Sequence, residues 1–183
     1  MTSDTPPEPQ IKIEPFDPEF HDRAAFSCGT ERIDNFLKST AKKHQQGDFT
    51  RVWVAVGKVS PKILGYYSIN SHSIQADDLP DKFKKGAPRH GAVAAAYLST
   101  FGVDASVQGK GIGRILLADA LKRIALISEQ MGIFAVVLDV LDDGDRAQIE
   151  KRHRFYESFG FIDFLSHALR MFLPTRTIRA SLK

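Results

Sequence analysis

The chain has 183 residues, 43% of them hydrophobic and 26% charged, with a formal net charge of +3, the balance of one soluble domain large enough to bury a core. Its only cysteine, Cys28, excludes an internal disulfide and a cysteine-built zinc or iron–sulfur centre within one chain, and no uncharged apolar run is long enough to span a bilayer. The opening MTSDTPPEPQ lacks the basic and apolar regions of a signal peptide, so a disordered tail over residues 1–10 and a single cytoplasmic domain over 11–183 are expected.

IKIEPF predicts a first strand. TERIDNFLKSTAKKHQQ sets Ile33, Phe36, Leu37 and Ala41 at helical spacing behind Thr30, the expected N-cap. RVWVAVG and ILGYYSINSHSI, rich in β-formers and separated by the proline-bearing KVSPK, predict neighbouring antiparallel strands. ADDLPDKFKKGAPRHGAV is expected to be an exposed connection or a short helix between loops. AAAYLSTFGVD predicts a strand, and from Ile112 the residues Leu116, Ala120, Ile124 and Ile127 fall on one face of a long helix that Gly132 would end.

IFAVVLDVL, almost continuously apolar, predicts a buried strand. Strand, glycine-rich turn, helix and strand form a βαβ unit, with parallel strands and a right-handed crossover. A short helix around RHRFYESFG and antiparallel strands at FIDF and HALRMFL complete a mixed α/β fold.

The turn QGKGIGR opens the long helix with Gly109, Gly111 and Gly113. The first N–H groups of a helix lack intrahelical partners and sit at the positive end of its dipole, so glycines that expose them favour a bound phosphate. A dinucleotide fingerprint would need its third glycine where Arg114 stands, and a P-loop would need a following Lys-Ser or Lys-Thr; the sequence has neither. His44, His72, His90, His153 and His167 are dispersed without ligand spacing, so no metal site is expected.

In this position between strand and helix, Gln108-x-x-Gly111-x-Gly113 resembles the pyrophosphate signature of the GCN5-related N-acetyltransferases, and the resemblance runs from about Phe26 to Ile178. It implies a mixed central sheet flanked by helices, with a parallel βαβ unit that binds acetyl-coenzyme A as cosubstrate. By resemblance Gln108, Gly109, Lys110, Gly111, Ile112, Gly113 and Arg114 hold the coenzyme's phosphates. Backbone groups of Phe101, Gly102 and Val103 would pair with its pantetheine arm, one N–H polarising the thioester carbonyl. Phe155-Tyr156, then Gly160-Phe161, matches the family segment whose tyrosine faces the coenzyme sulfur, which makes Tyr156 the catalytic acid for the leaving thiolate. Three departures stand out. Ser99-Thr100 precede Phe101 where an arginine is common, Lys110 replaces a frequent arginine, and DDGDRAQIEKRHR is longer than in short members.

CGTERIDNFLKSTA, ILGYYSIN, DLPDKFKKGAPRHGAV and RMFLPTRTI together resemble the toxin branch of that family, which acetylates the amino group of aminoacyl-tRNA. That resemblance implies a translation-blocking toxin, a ribbon-helix-helix antitoxin as partner and a homodimer. Charge placement is compatible with RNA: Lys82, Lys84, Lys85 and Arg89 form one acid-free cluster, Arg170, Arg176, Arg179 and Lys183 form another, and Arg32, Lys38, Lys42 and Lys43 lie along the early helix. An α-amino group titrates near pH 8, so the reaction needs no strong base. Asp104 and Asp139 are the carboxylates at plausible strand ends. An acetyltransferase for a small amine or a protein lysine, and a non-catalytic basic RNA-binding module, are the alternatives.

Overall fold

The computed structural model describes residues 11–88 and 91–182. The described residues divide into two compact units, 11–68 with 100–119 and 69–99 with 120–182. The strand order is β1-β2-β3-β4-β5-β7-β6.

In the first unit β1 (Ile11–Pro15) runs antiparallel to β2 (Arg51–Gly57), with Ile13 opposite Ala55. The early helix is interrupted: α1 (Glu31–Asn35) passes through a π-helical turn at Phe36–Thr40 into α2 (Ala41–Gln46). Ile33, Leu37 and Ala41, four residues apart, all stay buried through the interruption. Thr30 holds the N-cap position but makes no side-chain cap bond. Asp34 organises the entry instead, accepting from the Cys28 N–H at 2.8 Å and the Ser27 hydroxyl at 3.1 Å. The buried Tyr66 hydroxyl donates to the Ile33 carbonyl at 2.7 Å, and Phe26 meets the Tyr66 ring edge-on. Tyr66 lies on β3 (Ile63–Gln75), whose first residues belong to this unit.

β4 (Ala92–Val103), whose residues up to Ser99 belong to the second unit, and β5 (Ala135–Asp139) are parallel, Ala95 opposite Ala135, which is the pairing the βαβ pattern predicts. β7 (Arg170–Pro174) is antiparallel to β5, and β6 (Ile162–Asp163) is antiparallel to β7. Val93, Ala95, Ala135, Val137, Phe164 and Phe172 share one core cluster.

The short helix α3 (Asp81–Lys84) precedes β4, and the crossover helix α4 (Ile112–Ile127) joins β4 to β5. Ile127, expected on the buried face of α4, is exposed. The helix ends there and not at Gly132, with the Ser128 hydroxyl turned back onto the Ala125 carbonyl at 2.7 Å. α5 (Arg146–Glu157) is longer than the helix expected around RHRFYESFG. Its start is set by Asp145, whose carboxylate accepts from the N–H groups of Ala147 and Gln148. HALRMFL becomes a strand only from Arg170, and α6 (Thr175–Ser181) has no counterpart among the predicted elements. Among the described residues no helix is long and apolar enough to cross a membrane.

Candidate active site

The glycine turn is built from one carboxylate. Asp104, buried at the end of β4, accepts from the Ser27 N–H at 3.2 Å and from both the N–H and the hydroxyl of Ser106. Burial alone would raise this carboxyl; the bonds from Ser106 and Ser27 overcome it and hold Asp104 below its ordinary value. With Ala105–Val107 wound into a 3₁₀ turn on this cap, the chain reaches Gly109 at φ +77° and Gly111 at φ +84°. These are left-handed conformations that favour glycine.

A Cβ at either position would meet nothing within 4 Å. Space therefore does not demand these two glycines; backbone conformation does. Gly113, by contrast, is the second residue of α4 with no left-handed φ. Among the described residues the N–H groups of Gly109, Gly111, Ile112 and Gly113 make no well-formed hydrogen bond, while those of Arg114 and Ile115 are already bound to the Gly111 carbonyl. The turn thus keeps four backbone donors within five residues, the kind of arrangement a diphosphate needs. Arg114 is exposed in the first turn of α4.

Gln108 serves the turn differently from a phosphate ligand. Its side-chain amide donates to the carbonyls of Cys28 and Val103, both at 2.9 Å, tying the turn to the loop before α1 and to the end of β4. The Lys110 ammonium rests on the Ser106 carbonyl at 3.2 Å and is exposed. Phe101 and Val103 are half-buried and Gly102 is buried. Gly102 is a packing requirement, since a Cβ there would lie 2.8 Å from Ile33 Cγ2. Gly65 on β3 is constrained likewise, by Leu116 Cδ1 at 2.7 Å and the Gly102 carbonyl at 3.0 Å. These two glycines let α1 and α4 press against the strand that carries Phe101–Val103.

In the second unit Tyr156 lies near the end of α5, half-buried, with ring centroids 5.3 Å from Phe155 and 5.9 Å from Phe161. Gly160 closes the helix at φ +92°, and the Phe161 N–H returns to the Tyr156 carbonyl at 3.3 Å. Burial pushes the Tyr156 phenol up to about 12 against the opposing charge of Arg152, so it stays protonated at neutral pH. Arg152 is fixed by the Leu141 carbonyl at 3.2 Å and Asp143 at 2.7 Å.

Neither strand-end carboxylate is set up as a base. Asp104 is consumed in the turn. Asp139 takes a two-pronged contact from Arg170 at 2.7 and 2.9 Å and the Tyr97 hydroxyl at 2.7 Å. The Arg170 guanidinium holds the Asp139 carboxyl below the usual range. His72, its ring 5.1 Å from that of Tyr97, is lowered by burial and by Arg170. Tyr97, Asp139 and Arg170 are brought together only by the fold, which takes Arg170 out of the cation cluster it belongs to along the chain.

The other basic candidates separate as well. Lys84 pairs with Asp81 at 3.5 Å, whereas Lys82, Lys85 and Arg176 line one cleft. Arg89 and His90 lie outside the described residues. Among the described residues no three His, Cys, Asp or Glu side chains are grouped to hold a metal. Cys28 is half-buried, and burial and Asp34 raise its thiol to about 11.

Residues 48–163 match the model of the acetyltransferase (GNAT) domain. The chain is 48% identical to a probable toxin TacT of Sinorhizobium fredii, over 92% of this chain and 93% of that protein. It is 29% identical to a tRNA-acetylating toxin of Mycobacterium tuberculosis, over 87% and 89%. Among solved structures, AtaT complexed with acetyl-methionyl-tRNAfMet superposes with a TM-score of 0.83 at 25% identity, covering 94% of this chain and 99% of that one.

Proposed function

The chain belongs to the GNAT acetyltransferases, and from that premise we propose that it moves an acetyl group from acetyl-coenzyme A to the α-amino group of aminoacyl-tRNA, as a toxin that blocks translation. The observation that carries the coenzyme half is the pair of left-handed glycines at 109 and 111 with the four backbone donors of their turn. Relatives named as toxins, one of them tRNA-acetylating, support the acceptor.

The residues take these parts. The N–H groups of Gly109, Gly111, Ile112 and Gly113 hold the coenzyme's phosphates, with Lys110 and Arg114 as exposed cations beside them. Backbone groups of Phe101, Gly102 and Val103 align the pantetheine arm. The coenzyme supplies an activated acetyl carbonyl; the neutral amine forms the new C–N bond as the C–S bond breaks, and the amine's proton passes to solvent. Tyr156, kept protonated by burial, gives its proton to the departing sulfur and regains one from solvent. The reaction slows as pH falls through the amine's pKa, because the protonated amine is no nucleophile. Raising the pH through neutrality leaves Tyr156 competent, since its phenol ionises only at about 12.

A ribbon-helix-helix antitoxin, a homodimeric state and a cytoplasmic location complete the proposal. The test is transfer of labelled acetyl to charged tRNA, with uncharged tRNA alongside. Label on charged tRNA alone, released with the aminoacyl ester by mild base, is the expected result. Coenzyme binding without labelled tRNA would redirect the assignment to a small amine or protein lysine, and absence of both would leave a basic RNA-binding module.

A further inference from the structure

The second unit contains a cleft of about 560 Å³ at the start of β4 and the far end of α4. Among the described residues four cationic side chains line it, Lys82, Lys85, Arg176 and Arg179, and no acidic residue does. Each is positioned by local chemistry. β7 ends at Pro174, and the hydroxyl of buried Thr175 reaches the carbonyls of Ile133 at 2.6 Å and Phe134 at 3.1 Å, which fixes the first turn of α6 beside the loop entering β5. Arg176 and Arg179, three apart, then fall on one helix face.

The Arg179 guanidinium is braced on the Ser128 hydroxyl at 2.6 Å. Phe83, its ring edge-on to Phe172 at 5.3 Å, is anchored in the core and carries Arg176 at 5.7 Å and Lys82 at 4.9 Å over its ring. Cations stacked on a ring anchored in this way hold their direction without needing a carboxylate. Beside them Phe134 and Val93 give the cleft an apolar wall.

We propose that this cleft is a nucleotide subsite for the RNA acceptor, its cations holding the phosphates of one chain segment and its apolar wall the adjoining sugar and base. The proposal rests on the assignment of RNA as substrate. Charge complementarity selects the occupant: four converging cations without an acid match a polyanion, and a cavity of this size falls in the range that encloses a small ligand or one unit of a longer one.

The test is fluorescence anisotropy of the full chain with uncharged tRNA over a series of salt concentrations. Arg176→Glu and Lys82→Glu are each expected to weaken binding about tenfold and to reduce the salt slope by about one. Lys58→Glu, the same change of charge in the exposed turn after β2, is expected to weaken it by less than about threefold. Acetyl-coenzyme A affinity and melting temperature verify folding, and Lys85→Glu, outside any helix, supplies the same reading if a helix variant unfolds. Arg176→Lys is expected to retain most of the affinity.

Cleft variants that bind tRNA as Lys58→Glu does would overturn the proposal. So would variants that keep tRNA affinity but lose a poly-glutamate peptide bound by the unchanged chain, which would make the cleft a peptide groove. Binding is read without acetyl transfer, so the two assignments fail separately. Affinity lost in the variants while the unchanged chain acetylates no charged tRNA removes the substrate assignment and leaves the cleft, and transfer with unaltered binding does the reverse.

Discussion

The glycine turn and the cationic cleft are both assigned to phosphate, yet they are made of different material. The turn offers backbone donors, held by the cap of Asp104 and the brace of Gln108. The cleft offers long side chains from α3 and the segment after it and from α6, steadied by Phe83 and Ser128. A backbone site is specified by conformation, so a side chain at its key positions carries a conformational cost even where space is free. A side-chain site is specified by charge and reach, so a like-charged replacement can serve. The first kind suits one cofactor of fixed shape, and the second suits a long, variable polyanion.

Substitutions can sharpen or break this contrast. The largest effect is expected at a side chain whose whole contribution is one atom: Tyr156→Phe should lower kcat about a hundredfold or more while leaving acetyl-coenzyme A affinity unchanged. Single-turnover rates check it, and an unaltered rate would remove Tyr156 from the chemistry. Next comes the backbone site. Gly111→Asp combines a left-handed penalty of about 1–2 kcal/mol with a negative charge facing phosphate, so calorimetry should find coenzyme affinity at least about tenfold weaker.

A smaller loss is expected when the Tyr97–Asp139–Arg170 cluster gives up its charge. Asp139→Asn should destabilise the fold by about 1–2 kcal/mol in denaturant titrations near pH 7. Because the Asp139 carboxyl is held below its ordinary value in the folded state, its contribution is complete above the unfolded-state pKa of about 3.9 and disappears as pH falls through the lowered one. The variant and the unchanged chain should therefore converge in acid. The mildest test is Gly109→Ala, where a methyl group meets open space and only conformation is taxed; about 1 kcal/mol of lost stability or coenzyme binding is expected. No loss at all would mean the turn is less fixed than its φ angles imply.

The same contrast explains what could be read from the sequence. The turn is contiguous, residues 104–114, and its glycines and following helix advertise it; β4, α4 and β5 announce themselves by apolar runs of the right lengths. Tyr156 is a candidate in the sequence because its neighbours Phe155, Gly160 and Phe161 form a local pattern. The cleft draws on residues near 82, 128 and 176, which only the folded sheet assembles, so its cations had to be counted as clusters along the chain. That is why Arg170 falls in one sequence cluster with Arg176 and Arg179 although Asp139 holds it and only the other two line the cleft. The π-helical turn and the early end of α4 escaped because both depend on packing and on a serine bending back to a carbonyl, which apolar spacing does not encode.

The bond from Thr175 to the two carbonyls before β5 also bears on how the chain opens. Terminal helices ordinarily fray first, and their amides exchange with solvent almost without protection. Here unfastening the last helix would strip Ile133 and Phe134 of their partner at the mouth of a central strand, so the start of α6 should exchange together with that strand and more slowly than its place near the chain end suggests. A fusion or truncation made in this segment would consequently be felt in the middle of the sheet.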